Sequence, residues 1–261
     1  MSVRNLDKLF TPRSVALIGA SPRSDSVGGI VARNLRRAGF AGELLLVNPH
    51  HQTIDGLSVH PDVASLPHAP DLAVIVTPPE TVPRLIGDLG ELGTRAAIVI
   101  TAGFGELGEE GRSLQQATLA AAKPRLLRIV GPNCVGIMVP RLGLDATFSH
   151  LTAPAGDIAF LSQSGAMITA MLDWAAPRRI GFSHVVSLGD MVDVDFGDLL
   201  DYLATDPGTR AILLYLEGVT HGRKFMSAAR AASRTKPVLV LKAGRSAAGA
   251  RAATSHTGAL A

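Results

Sequence analysis

Of the 261 residues, one is cysteine, one tryptophan and two tyrosine. Cys134 has no partner for an intramolecular disulfide and no companions for a thiolate zinc cluster. A disulfide-stapled secreted domain is therefore excluded, and a reducing cytoplasm is the expected compartment. The eight histidines form no H-x-H or H-E-x-x-H pair, so no metal site is expected. No apolar run approaches the ~18 residues of a membrane span. The opening "MSVRNLDKLF" lacks the apolar centre of a signal peptide. Charge is sparse too. Charged residues make up 18% and the formal net charge is +3, too weak to imply nucleic acid. Basic residues do not interleave with aromatics, which would be needed for a single-strand groove.

Hydrophobic residues are plentiful at 47%, dominated by small and aliphatic types. Their arrangement is what carries information. "SVALIG", "ELLLVN", "DLAVIVT", "AAIVIT" and "LLRIVG" are unbroken apolar runs, as strands buried on both faces are. Helical patterns such as "GGIVARNLRRAG" and "TVPRLIGDLGELG" separate them. A second series follows, "DIAFLS", "FSHVVSLG", "RAILLYLE" and "PVLVLKAG", with helices between. The alternation predicts βαβ units and parallel sheets. Residues 140–155 are rich in Pro, Gly and Thr with no helical period. The expected fold is α/β: a Rossmann-like domain over 1–145 followed by a flavodoxin-like domain over 146–261.

In open α/β sheets, ligands collect beyond the carboxyl ends of the strands. The first such end reads "GASPRSDSVGG". Gly19, Ala20 and Ser21 could meet a phosphate at a helix start, or form an ordinary βα loop. The second ends in Asn48-Pro49, where an NAD site would place an acidic residue. The third ends in Thr77, Pro78 and Pro79. The prolines lack amide hydrogens and predict a rigid apolar rim, or simply a helix start. "TAGFGE" and "GPNCVG" close the fourth and fifth. Cys134 reads as a packed small residue rather than a nucleophile, since no base adjoins it.

In the second series, "FLSQSGAM" turns from strand to helix. Ser162, Ser164 and Gly165 set hydroxyls and amides at a helix N-terminus, a seat for phosphate or a plain cap. Glu217 follows the apolar run of "LLYLEGV". It either points into the ligand face or forms a surface ion pair. Asp193, Asp195 and Asp198 read as a helix cap and a solvated face. His256, in "ATSHTGALA", gains meaning from the carboxylate and the helix start expected at the same sheet edge.

The ordered set "LIGAS", "NP", "TPP", "TAGFGE", "GPNCVG", "SQSG", "LEG" and "SHTGAL" resembles the NDP-forming acyl-CoA synthetases, the superfamily of succinyl-CoA synthetase. The resemblance runs along the whole chain and corresponds to the CoA-binding and ligase domains of the α part. It implies that Gly19, Ala20 and Ser21 cradle CoA phosphate. Asn48 and Pro49 would hold the nucleotide end. Thr77, Pro78 and Pro79 would wall the CoA, and Thr101, Ala102, Gly103 and Asn133 would lie near its thiol. His256 would be the phosphorylated histidine, Glu217 its hydrogen-bonding carboxylate, and Ser162, Ser164 and Gly165 the helix start that receives it.

The implied cycle converts acyl-CoA, phosphate and ADP to acid, CoA and ATP through phospho-His256. Neutral imidazole is nucleophilic near neutral pH, and a carboxylate on one ring nitrogen fixes its tautomer. ATP, ADP and Mg2+ would enter only through an ATP-grasp domain, in cis or as a partner subunit. No such segment lies in these residues, so a truncated piece that binds CoA without full turnover is expected. Its other partners would be acyl-CoA and phosphate, with neither nucleic acid nor membrane, and homo-oligomerisation stays open. The region also resembles the synthetase-like part of bacterial protein lysine acetyltransferases, which would make it a CoA-sensing regulatory module. A plain Rossmann-type nucleotide-binding regulator is the third reading.

Overall fold

The structure is a computed structural model that describes residues 3–244. A short helix α1 (Asp7–Phe10) leads into β1 (Ser14–Ile18), α2 (Val27–Arg37) and β2 (Glu43–Val47). A small pair, β3 (Thr53–Ile54) and β4 (Leu57–His60), precedes β5 (Leu72–Ile75), α3 (Val82–Leu92), β6 (Ala96–Val99), α4 (Glu109–Ala122) and β7 (Arg128–Val130). These strands form one sheet in the order β3-β4-β2-β1-β5-β6-β7, parallel except for β3. From β4 to β7 this is the Rossmann order, with the third strand reached by a hairpin instead of a helix. Every residue of β1, β5, β6 and β7 is buried, as their unbroken apolar runs require.

The second sheet holds β8 (Gly136–Val139), β9 (Leu144–Thr147), β10 (Ala155–Ser162), β11 (Phe182–Ser187), β12 (Ala211–Leu216) and β13 (Val238–Lys242). Their order is β13-β12-β10-β11-β8-β9. The last four in sequence are mutually parallel and follow flavodoxin order, with α5 (Gly165–Ala175), α6 (Phe196–Thr205) and α7 (Gly222–Ser233) between them. The β8–β9 hairpin joins antiparallel on the β11 side. Hydrogen bonding thus assigns residues 136–147 to the second sheet, ahead of the boundary expected from composition. The hairpin itself pairs locally, but the strand it docks on, β11, lies about forty residues on, so nothing in the Gly- and Pro-rich stretch itself shows which sheet it joins.

The two units share a seam. The Val192 and Val194 amides donate to the Gly131 and Ile129 carbonyls, at 3.1 and 3.0 Å. Asn34 on α2 reaches across to the Thr147 and Ser149 carbonyls at 2.9 and 2.8 Å. Arg128 on β7 pairs with Asp193 at 2.8 Å and Asp198 at 2.9 Å, and Lys224 on α7 meets Asp195 and Asp198. Asp195 does cap α6, accepting from the Asp198 amide at 3.1 Å. The expected solvated face is overturned, however: Asp198 is buried and ion-paired within the seam.

Candidate functional site

Strand β1 lies between β2 and β5, so the crossovers leave it in opposite directions and open a crevice beyond its carboxyl end. Gly19 turns the chain there with φ of +96°, and a Cβ would sit 2.9 Å from Val76 Cγ2. A Cβ on Gly28 would approach the Gly19 carbonyl oxygen to 2.1 Å, so α2 packs its first turn directly on the loop. The Gly19 and Ala20 amides already donate to the Val47 carbonyl, at 2.9 and 3.3 Å. Ser21 Oγ accepts from the Arg23 amide at 3.2 Å. Asn48 is a brace: its Nδ2 donates to the Ala20 carbonyl at 2.7 Å, and its Oδ1 accepts from the His50 amide at 2.8 Å. Together these groups shape a cleft of about 730 Å³ lined by Gly19, Asn48, Pro49, Thr77, Pro78 and Arg84, among others.

A second cavity, of about 770 Å³, opens between the two units. Thr77, Pro78, Thr101, Ala102, Asn133 and Gly165 help line it. The two spaces share Val76, Thr77 and Pro78 as a common rim. Thr101 Oγ1 donates to the Thr77 carbonyl at 2.7 Å and fixes that rim. Pro79 lines neither space and packs under Gly103, where an added Cβ would meet its Cγ at 2.8 Å. The Glu106 carboxylate closes the "TAGFGE" loop by accepting from the Gly103 and Phe104 amides, at 2.6 and 3.1 Å.

At the far end of this cavity stands the N-terminus of α5. Ser162 is wholly buried; its Oγ donates to the Ser164 carbonyl at 2.8 Å and accepts from the Ser164 amide at 3.1 Å. Ser164 Oγ caps the helix by accepting from the Met167 amide at 3.4 Å. Both hydroxyls thus serve the turn, while Gly165 and Gln163 line the cavity. Gln163 Oε1 accepts from the Glu217 and Gly218 amides, at 2.7 and 3.0 Å, tying the helix start to the end of β12. Glu217 is only 5% exposed, and its Oε2 is buried with no hydrogen-bond donor among the described residues. A surface ion pair is thereby excluded for it. Such an oxygen is costly unless something supplies an N–H or O–H. His256 lies outside the described residues.

Cys134 is packed, as expected. Its thiol donates to the Val99 carbonyl at 3.3 Å, and burial pushes its pKa up to about 12. Sequence reasoning passed over Asp190 and Ser187, which both line the inter-unit cavity. Asp190 follows β11 in "SLGD" and obeys the same strand-end rule that singled out the other loops. Among the described residues no group of three or more His, Cys, Asp or Glu could hold a metal ion, and no helix is long and apolar enough to cross a membrane.

Two α/β units, with a cleft at the Rossmann switch point and a helix start lining the neighbouring cavity, define a two-domain α/β protein built to hold a ligand at its strand ends. A CoA-binding domain family matches residues 13–140, and the succinyl-CoA ligase like flavodoxin domain matches residues 155–261. The chain belongs to the succinyl-CoA synthetase superfamily of NDP-forming acyl-CoA synthetases, with the CoA-binding and ligase domains of the α type. It is 46% identical over 256 residues to acetate–CoA ligase [ADP-forming] I of Archaeoglobus fulgidus, covering 98% of this chain and 37% of that protein. It is 42% identical to the α subunit of acetate–CoA ligase [ADP-forming] I of Pyrococcus furiosus, covering 98% and 56% respectively. A solved acetyl-coenzyme A synthetase 1 of Ca. Korarchaeum cryptofilum, in complex with phosphate and ADP, superposes with a TM-score of 0.93 at 40% identity, over 98% of this chain and 55% of that one. The chain thus spans a third to just over half the length of these relatives.

Proposed function

We propose that this chain is the CoA-binding and phosphohistidine part of an ADP-forming acyl-CoA synthetase. It would interconvert acyl-CoA, phosphate and ADP with acid, CoA and ATP. The observation that carries the reading is the adjoining pair of cavities, which lie on either side of the shared Thr77–Pro78 rim, with the Gly19–Asn48–Pro49 crevice in one and the Gly165 helix start in the other. This is a path for an elongated ligand with its nucleotide at one end and its thiol at the other. The donor set suits CoA. The first cleft offers apolar walls and Arg84 for the nucleotide end, and the second ends on a helix N-terminus suited to phosphate. Ala20, Ser21, Pro79 and Gly103 act behind the walls, holding the loops in place.

Glu217, whose backbone amide donates to Gln163 Oε1 next to that helix start, has a buried Oε2 with no partner among the described residues, and an imidazole N–H would satisfy it. His256 is the group we assign to it. The carboxylate would fix the tautomer, leaving the other ring nitrogen to take the phosphoryl group of an acyl phosphate held at the α5 N-terminus. An ATP-grasp domain, in cis or as a partner subunit, would supply ADP, ATP and Mg2+. The cleft's position between the sheets leaves both units in use: 1–145 for CoA and 146–261 for the phosphoryl step, with the 136–147 hairpin bridging them. A cytoplasmic enzyme acting without nucleic acid or membrane fits the single buried thiol and the sparse charge.

Calorimetry of the full-length protein should give binding of CoA and none of NAD. Labelled ATP should phosphorylate the wild type and not His256→Ala, and Glu217→Gln should slow labelling at least tenfold. Equal labelling of wild type and His256→Ala would remove the phosphocarrier assignment.

A further inference from the structure

Asp190 takes no part in the scheme above, yet it lines the inter-unit cavity in an unusual setting. Its backbone is clamped: the amide donates to the Pro132 carbonyl at 3.0 Å, and Gly189 before it fits so closely that a Cβ would meet the Pro132 carbonyl oxygen at 2.1 Å. Oδ2 is buried against the Gly105 backbone, 3.5 Å from the position a Cβ on Gly105 would occupy, with the Gly105 amide as its one weak donor among the described residues. Oδ1 is held only loosely by Asn133 Nδ2, at 3.4 Å, and is left as the oxygen able to meet a ligand. No cation pairs with it among the described residues. A half-buried carboxylate with only these weak donors and no cation beside it is unfavourable for folding, and such groups collect where a ligand or a proton completes them.

Its place along the ligand path says which proton. A ligand whose nucleotide occupies the β1 crevice must cross the Thr77–Pro78 rim to reach the second cavity, so its reactive end lies among Thr101, Asn133, Asp190 and Gly165. Resting on the acyl-CoA synthetase reading, we infer that the Asp190 carboxylate is the general base for the CoA thiol in the thioester half-reaction. The S–H proton passes to the carboxylate as the sulfur attacks the acyl carbon of an acyl phosphate. The S–C bond forms, the acyl C–O bond to phosphate breaks, and the departing phosphate takes the thiol's proton from the aspartic acid, which returns to the carboxylate. In reverse, the same acid returns the proton to the leaving thiolate.

The environment suits this task. Burial, and after it the Glu106 carboxylate nearby, raises the Asp190 carboxyl to about 6. That brings it closer to a thiol of about 8.5 than an ordinary aspartate stands. The other titratable groups facing it are Glu106 and the buried Cys134, and His150 lines the same cavity.

The test is conversion of acetyl phosphate and CoA to acetyl-CoA by the full-length protein, which needs neither ATP nor the histidine. Wild type should turn over with a rate that falls as pH drops below about 6, where the base is protonated. Asp190→Asn should lose at least thirtyfold in kcat with KM for CoA changed less than threefold, and its acid limb should vanish. Glu106→Gln should move the acid limb to lower pH, whatever it does to the maximal rate through the 103–104 loop it closes. Phosphorylation of His256 by ATP should be unaffected in Asp190→Asn, and the variant should unfold at equal or higher urea at pH 8, since it sheds a poorly solvated charge. Full activity in Asp190→Asn, or an unmoved acid limb in Glu106→Gln, overturns the inference and leaves the broader reading standing. A wild type that neither binds CoA nor forms the thioester overturns both.

Discussion

Single residues in this chain divide by whether their buried polar atoms are satisfied. Asp145 is buried but bonded to Thr147 and Thr152 at 2.7 and 3.2 Å, so it is structural. His184 is different. It is wholly buried on β11, edge-on to Phe10 with 5.1 Å between ring centroids, and its Nε2 has no partner among the described residues. Nδ1 lies 3.4 Å from Thr209 Oγ1 and 3.8 Å from Asp206 Oδ2. Burial dominates and lowers its pKa, assisted by Arg141 and Lys236 and opposed by Asp206. A group with a depressed folded pKa keeps its full contribution above the unfolded value near 6.5 and loses it as pH falls toward the folded value. The urea midpoint is therefore expected to drop between pH 7 and pH 5, by roughly 2 kcal/mol of stability. His184→Leu should flatten that decline. An identical slope in both proteins would show that another group carries the acid sensitivity.

Elements were largely legible, since each βαβ unit announces itself through an apolar run and a following amphipathic segment. "SVALIG", "FSHVVSLG" and "PVLVLKAG" all became strands in the expected parallel arrangement. The rim residues were legible too, because strand-end loops are read directly off the sequence. What escaped was set by remote pairing: the docking of the β8–β9 hairpin on β11, the burial of Asp198 against Arg128, and the clamping of Asp190 on the 131–133 loop. Asn48 lines the cleft, and its added duty as a brace to Ala20, 28 residues earlier, had no sign in the local sequence. Helix α2 shows how close packing builds the site. Ser26 caps it by accepting from the Gly29 amide at 3.1 Å, and Gly28 touches the β1 turn. Gly28→Ala would drive a methyl into the Gly19 carbonyl, forcing helix and turn apart at an overpacking cost of about 1–3 kcal/mol. CoA affinity measured by calorimetry should fall at least tenfold, whereas Gly87→Ala, where nothing lies within 4 Å, should leave it unchanged. Equal affinities would separate the β1 turn from CoA binding.

At the scale of the whole molecule, the inter-unit cavity exists only while the two sheets hold their relative position. Both walls depend on residues 189–194, which carry Asp190 on one side and hydrogen-bond to the 129–132 backbone on the other. Arg128 anchors that segment from below, with a side chain 10% exposed between Asp193 and Asp198. A buried ion pair contributes little net stability when whole, because desolvation offsets the attraction, but removing one partner leaves an uncompensated charge. In Arg128→Ala, Lys224 would remain beside Asp198, while Asp193 Oδ2 would keep only the Ile129 amide at 2.9 Å. The expected loss is about 3 kcal/mol, read as a lower urea midpoint. Since the damage falls on the seam, CoA affinity should weaken as well, although Arg128 lines neither of the two adjoining cavities. Arg128→Lys keeps the charge but forfeits the two-pronged geometry, and should recover part of the stability and most of the affinity. A lower midpoint with CoA affinity intact would mean that each sheet holds its share of the groove unaided, and that the seam supports the fold without shaping the site.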